Sequence, residues 1–298
     1  MNVSVVIPTF NKAPRLKLML ASAVCQDFNL NDAELLLVDD GSTDETNQVV
    51  AEYKNKLNLI LLQENHGGRS FARNRGIAAA SGKIVIFSDD DVIWKDSFLK
   101  THYQMHQLYD SCVVHGQIRT LPFVKFFEDP ASGKLYKGMD SGVSLTRLRS
   151  KCISETDISL DFEGKVHKNS NLSVTEKMIN SVFTQGISSL QWLGCTGANF
   201  SVSLEDLKKV RGFDEGFGLT WGFEDFELGY RLKELGCKFL YSMEATNYHL
   251  VHFRQTLEEE LKTSFDYFYS LHPQDAVKEV YEFFLGKIDE KTLFQRRM

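Results

Sequence analysis

Short apolar runs alternate with amphipathic stretches along the first 120 or so residues of the chain, the pattern of a parallel α/β sheet. Val3-Ser4-Val5-Val6-Ile7 predicts a strand stopped by Pro8, and Ala13 to Cys25 places Leu16, Leu18, Met19 and Leu20 at helical spacing. Leu35 to Val38 reads as a buried strand ending at Asp39-Asp40-Gly41. Ser42-Thr43-Asp44-Glu45 then supplies N-cap candidates and acidic first-turn residues for a helix to about Lys56. Leu57 to Leu62 gives a third strand, Gly68 to Ser81 a helix with Phe71, Ala72, Ile77 and Ala80 on its apolar side, and Ile84 to Phe87 a fourth strand.

From Leu121 to Leu190 the periodicity fades into Gly and Ser breaks with mixed charge, which reads as a binding loop or lid. Order returns at Leu190 to Val202, with a helix from Leu204. The Gly-rich segment Gly212 to Gly222 follows, then a helix carrying Phe226, Leu228, Tyr230, Leu232 and Leu235, ended by Gly236. Lys238 to Ser242 reads as a strand, and Thr256 to Met298 as aromatic-rich amphipathic helix broken at Pro273.

A chain of 298 residues with a net charge of −6 has room for a large core and lacks the basic excess that phosphate backbones demand, so nucleic acid is not an expected partner. No apolar run exceeds four residues, which predicts no transmembrane segment and leaves only peripheral membrane contact. Met1 leads straight into a strand pattern, which predicts no signal peptide, and five scattered cysteines without a C-x-x-C pair read as reduced thiols of a cytoplasmic protein.

Polar residues gather where the apolar strands end: Thr9-Phe10-Asn11, Asp39-Asp40, Glu64-Asn65 and Asp89-Asp90-Asp91. In an open parallel sheet that edge is where ligands bind. Three adjacent carboxylates repel one another unless a cation neutralises them, and hard oxygen ligands suit Mg²⁺ or Mn²⁺. In extended chain Asp89 and Asp91 face one side and Asp90 the other. Neither a Walker loop nor a G-x-G-x-x-G fingerprint occurs. Gly67-Gly68-Arg69 is a weak phosphate-loop candidate. Trp221-Gly222-Phe223-Glu224-Asp225 pairs an aromatic face with two carboxylates, as a general base beside a sugar requires; helix-dipole complementation explains the carboxylates equally well. Tyr248-His249-Leu250-Val251-His252 reads as extended, so the two histidines should face opposite sides and only one should reach a metal; Arg254 could serve a phosphate.

Val5-Val6-Ile7-Pro8-Thr9-Phe10-Asn11, Val38-Asp39-Asp40-Gly41-Ser42-Thr43-Asp44, Ala72-Arg73-Asn74-Arg75-Gly76 and Phe87-Ser88-Asp89-Asp90-Asp91, in this order, closely resemble the family 2 glycosyltransferases of the GT-A fold. Gly212-Phe213-Asp214-Glu215, Trp221 to Asp225 and His249-x-x-His252 look like the part shared with β-1,4-galactosyltransferases and chondroitin-polymerase-like enzymes. The resemblance spans about residues 2 to 255 and implies a Rossmann-like, mostly parallel central sheet flanked by helices. On it, residues 1–120 form the nucleotide-sugar-binding half, 121–255 the acceptor-binding and catalytic half of the same domain, and 256–298 a C-terminal helical extension.

The roles it implies attach to particular residues. Pro8, Thr9, Phe10 and Asn11 border the nucleotide of a UDP-sugar donor, Asp40 accepts from the uracil N–H, and Arg73 lies by the base or diphosphate. Asp89, Asp90 and Asp91 form the D-x-D region, with Asp89 and Asp90 among the residues at the nucleotide-sugar, Asp91 the direct ligand of Mn²⁺ or Mg²⁺ and Asp89 its companion. His252 is the matching metal histidine and His249 the runner-up. Asp225 is the base of an inverting transfer, Glu224 orients the sugar, and Trp221 and Gly222 meet the acceptor, be it a glycan, a lipid-linked sugar, a peptide or a small molecule. Ser88 departs from the apolar residue usual at that position. The alternatives are a non-catalytic nucleotide-sugar or glycan-binding protein and a sugar nucleotidyltransferase, although the latter needs a Gly-rich basic loop after the first strand.

Overall fold

The computed structural model describes residues 1–139, 142, 144–252 and 257–297. Its N-terminal part winds as the apolar pattern dictates: β1 (Val3–Thr9), α1 (Ala13–Val24), β2 (Ala33–Asp39), α2 (Thr46–Tyr53), β3 (Leu59–Gln63), α3 (Arg69–Ala79) and β4 (Ile84–Phe87). These four strands lie parallel in the order β3-β2-β1-β4, with Val5 registered between Leu35 and Ile86. Alternate residues feed two cores, one per sheet face. Val5, Leu35 and Ile86 enter one, and Val6, Leu36 and Val85 the other. Pro8 lies in a central strand, but the pairing of β1 with β4 stops at Val6, so its missing N–H breaks no ladder on that side.

Beyond β4 the sheet becomes mixed. The chain continues through β5 (Val92–Trp94), α4 (Phe98–Leu108) and β6 (Cys112–Thr120), then a small separate hairpin of β7 (Phe127–Asp129) and β8 (Lys134–Leu135). After the helices described below come β10 (Phe200–Ser203), antiparallel to both β4 and β6, and β11 (Lys238–His249), parallel to β6. β5 closes the far edge antiparallel to β11. The parallel order expected from the first four strands therefore holds for that half, and reversal of β10 changes it for the rest.

The stretch read as irregular is folded into short helices: α5 (Leu145–Arg149), α6 (Glu155–Leu160) and α7 (Phe162–Lys165), then the two-residue strand β9 (Asn171–Leu172) and α8 (Val174–Thr184). Three of these helices are six residues or shorter, too few turns to display an amphipathic period. They are announced instead by their caps. Ser154 and Asp157 form a reciprocal capping box, and Ser144, Asp161 and Ser173 each accept a first-turn N–H. The C-terminal part comprises α9 (Leu204–Lys209), α10 (Glu224–Glu234), α11 (Leu257–Leu271), α12 (Asp275–Phe284) and α13 (Glu290–Gln295), with the expected break at Pro273.

Candidate active site

The C-terminal ends of β1, β2 and β4 open on a cavity of about 380 Å³ lined by Pro8, Thr9, Phe10, Asp40, Asp89 and Asp90 together with Lys12, His66, Gly68, Arg69 and His252. Six residues expected at a nucleotide thus share one cavity. Asn11 is not in its lining; its side chain turns to Thr43, whose N–H it accepts at 2.8 Å. The buried Asp40 carboxylate is fixed by the N–H groups of Gly67 and Gly68 at 2.8 and 3.0 Å and by His66 Nδ1 at 2.8 Å. Gly68 is required there: its φ is +90°, and a Cβ would stand 2.2 Å from the carbonyl oxygen of Gly218. The ring of Phe10 stacks on His66 with centroids 4.3 Å apart.

Strand register assembles a second group. Val92 pairs with His249 across β5 and β11, and the Leu250 N–H donates to the Asp91 carbonyl at 2.8 Å, so the carboxylate run and the histidine segment meet at one sheet edge. Asp91 Oδ1 lies 3.6 Å from His249 Nε2, and Oδ2 lies 3.1 Å from His252 Nδ1. Both histidines therefore reach Asp91, which corrects the expectation that they face opposite sides. β11 ends at His249 and the chain turns there, the Val251 N–H donating to the His249 carbonyl, so alternation of faces no longer applies. Asp89 stands outside this group, its carboxylate 3.2 Å from Arg73 Nη2. Asp90 accepts from Thr9 Oγ1 at 2.7 Å; burial and the neighbouring Asp91 push its carboxyl up to about 6, against the pull of Lys12. Burial opposes ionisation of Asp91 also, yet Lys12, His249 and His252 together hold its carboxyl well below the usual range. Ser88, the departure in the run, is fully buried and accepts from Trp94 Nε1 at 2.8 Å, tying β4 to β5 across the carboxylates. Arg254 lies outside the described residues.

A neighbouring cavity of about 430 Å³ shares Arg69 and Asp89 with the first and is lined by Arg73, Trp221, Gly222, Phe223, Glu224, Asp225 and His249, with Ser173, which caps α8, and Thr175 and Glu176 of α8 on one wall. Arg73 faces this second cavity rather than the first. It bridges Asp89 and Glu224, at 3.2 and 2.9 Å, over the ring of Phe213. Gly197 makes room for it, since a Cβ there would meet Arg73 Nη2 at 2.2 Å. Asp225, in the first turn of α10, accepts from the N–H groups of Gly197 and Phe226 at 2.8 and 2.9 Å. Burial, then the adjacent Glu224 charge, pushes its carboxyl up to about 7, against Arg73. A carboxylate so placed is suited to taking a proton near neutrality.

The turn before α10 is strained. Gly222 has φ +102° and Phe223, a bulky residue, φ +65°. Phe223 is held there by rings of the C-terminal helices: Phe265 at 5.8 Å, Tyr281 at 6.0 Å, Phe268 and Phe284 at 6.1 Å between centroids. Ser264 donates to the Trp221 carbonyl at 3.1 Å.

Residues 4–150 match the family model described as Glycosyl transferase family 2, and residues 182–255 match that described as N-terminal domain of galactosyltransferase. The chain belongs to the family 2 glycosyl transferases. Two curated relatives of this family 2 chain are validoxylamine A glucosyltransferase of Streptomyces hygroscopicus subsp. jinggangensis, 29% identical over 91% of this chain and 61% of the relative, and chondroitin synthase of Escherichia coli, 26% identical over 83% of this chain and 34% of the relative. The chain thus spans a third to three fifths of these relatives' lengths. The crystal structure of S. aureus TarS 1-349 in complex with UDP-GlcNAc aligns over 86% of this chain and 59% of that one, with a TM-score of 0.55 at 22% identity. That likeness establishes the fold, and the GT-A architecture implied by the motifs is the one observed. Among the described residues no helix is long and apolar enough to cross a membrane.

Sequence reasoning passed over Lys12 and His66 as lining residues, whereas Arg69 belongs to the weak phosphate-loop candidate and does line the cavity. Lys12 directly follows the Asn11 of a recognised motif, and that adjacency was the available signal; His66 directly precedes the weak Gly67-Gly68-Arg69 candidate.

Proposed function

We infer that this chain is an inverting, metal-dependent glycosyltransferase that moves a hexose or N-acetylhexosamine from a UDP-sugar to an acceptor hydroxyl. The observation that carries this reading is the junction of the two cavities: Asp89 and Arg69 line both, with the strand-end carboxylates on one side and Asp225 on the other. A donor seated across that junction would direct its anomeric carbon toward the cavity of Asp225 and Trp221.

Asp91, His249 and His252 fit a divalent cation. Their ligand atoms lie within 4.8 Å of one another, and the buried Asp91 Oδ1 accepts no hydrogen bond from the described residues. Two imidazoles beside one carboxylate favour Mn²⁺ over Mg²⁺, the latter preferring oxygen. When bound, the ion would neutralise charge on the diphosphate leaving group. Asp225 accepts the proton of an acceptor hydroxyl as its oxygen bonds to the anomeric carbon. The bond from that carbon to the phosphate oxygen breaks, and UDP leaves with the electron pair from the opposite face. Arg73, neutralised by Asp89 and Glu224, holds Glu224 for the sugar hydroxyls. Trp221 offers its face to the acceptor ring, and the acceptor is a glycan, a lipid-linked sugar, a peptide or a small molecule. A cytoplasmic setting would keep its five free thiols reduced.

The test is a panel of UDP-sugars assayed for Mn²⁺-dependent UDP release, followed by NMR of the product. An anomeric configuration opposite to the donor's is expected; a retained configuration, or binding of every UDP-sugar without turnover on any acceptor or water, refutes the reading.

A further inference from the structure

Lys12 has no role in the mechanism above, yet it occupies its most sensitive point. The residue lies between the β1 loop and α1, and its ammonium reaches back to the strand-end carboxylates. Nζ is 2.5 Å from Asp91 Oδ2 and 3.5 Å from Asp90 Oδ1. The oxygen it holds is the one 3.1 Å from His252 Nδ1, so the ammonium and a cation bridging Asp91 and His252 would contend for the same lone pairs. Two cations at bonding distance from one buried carboxylate oxygen repel strongly, because little water screens them. The same side chain also lines the cavity read as the nucleotide's, alongside Thr9 and Arg69, and is 24% exposed there. A diphosphate in that cavity offers the ammonium a second anion within the reach of a flexible four-carbon stem.

We propose that Lys12 competes with the divalent cation for Asp91 and that a nucleoside diphosphate relieves the competition, so that metal and nucleotide load together. The proposal rests on the metal-dependent reading above and adds to it a residue that sets the order of binding. Without nucleotide, Lys12 keeps the site's anions paired and its metal affinity low. With nucleotide, the ammonium turns to the phosphates and Asp91 is released to the ion.

Mn²⁺ titration of the full chain, followed by electron paramagnetic resonance with and without UDP, decides this without any turnover. The parent should bind Mn²⁺ at least tenfold more tightly with UDP present. Lys12→Met should bind Mn²⁺ alone at least tenfold more tightly than the parent and lose most of the gain from UDP. Lys12→Gln, which keeps a polar head, should behave likewise and guards against a folding defect of the first variant. If Lys12 merely neutralises its neighbours, its removal raises Mn²⁺ affinity by the same factor with and without UDP, and that result overturns the proposal, as does no change at all. Absence of Mn²⁺ binding by parent and variants under every condition removes the metal reading itself and the proposal with it, and is thereby told apart from a failure of Lys12 alone.

Discussion

Asp91 and Asp225 are both carboxylates of the same cleft, and burial opposes the ionisation of each, yet they stand at opposite ends of the carboxylate range. Asp91 has Lys12, His249 and His252 around it and stays ionised far into acid, while Asp225 has Glu224 beside it and is pushed up to about 7. Among the described residues, the cation that acts on Asp225 is Arg73, which is already committed to Asp89 and Glu224. The contrast teaches that charge partners, more than depth, set each carboxylate's state: one is kept anionic, the other is left poised to exchange a proton.

The sharpest way to break this contrast is to neutralise its anionic pole. Asp91→Asn removes the charge that two histidines and a lysine converge on. Turnover should be abolished and UDP binding weakened, with the circular dichroism spectrum unchanged. Full activity of the variant, or full activity of the parent in excess EDTA, contradicts the assignment.

Neutralising the other pole should cost less. A general base contributes roughly 10²–10⁴-fold, so Asp225→Asn should lose that much in kcat while UDP affinity stays near parental. The pH profile carries the sign. Below about 7 the Asp225 carboxyl is protonated and cannot accept a proton, so kcat/KM of the parent should rise as pH increases through about 7. A rising limb centred near 4 would mean that neither burial nor Glu224 acts on this group during catalysis. Glu224→Gln should instead raise KM for the donor more than it lowers kcat.

These two poles also differ in how far the sequence discloses them. The Asp91 side is built by strand register, and strands with up to four unbroken apolar residues ending in polar ones can be read directly. Even so, that reading sent His249 and His252 to opposite faces, because the end of β11 at His249 is set by its pairing with β5 and leaves no local mark. On the Asp225 side the residues are recognisable as a motif, while their support is not. Phe223 adopts a left-handed backbone only because rings from α11 and α12, some forty to sixty residues later, fill the space around it. The helices between 145 and 165 escaped for a simpler reason: elements of four to six residues have caps but no period.

On the donor side, Asp40 tests whether a strand-end carboxylate reads the base or only shapes the loop. Asp40→Ala should weaken UDP by about 1–3 kcal/mol, the range for losing a hydrogen bond to a charged group. The same substitution releases the N–H groups of Gly67 and Gly68, which would weaken any nucleotide. Comparing UDP with GDP separates the two. A base contact predicts that the preference for UDP shrinks, whereas equal weakening of both nucleotides assigns Asp40 to the loop alone.

The smallest effect should come from the hydrogen bond that ties the turn before α10 to α11. Ser264 is 1% exposed and donates to the Trp221 carbonyl at 3.1 Å, with Thr220 Oγ1 at 3.0 Å. Ser264→Ala removes a hydroxyl from a neutral, buried contact, worth about 1 kcal/mol in stability. Its functional consequence depends on which side of the cleft the turn serves. Because Trp221 and Gly222 line the cavity of Asp225 and not that of Asp40, the loosened turn should raise KM for the acceptor and lower kcat several-fold, with UDP affinity unmoved. A variant that lost UDP affinity in step with kcat would mean that the two cavities do not respond separately, and the contrast between their carboxylates would then describe one coupled site.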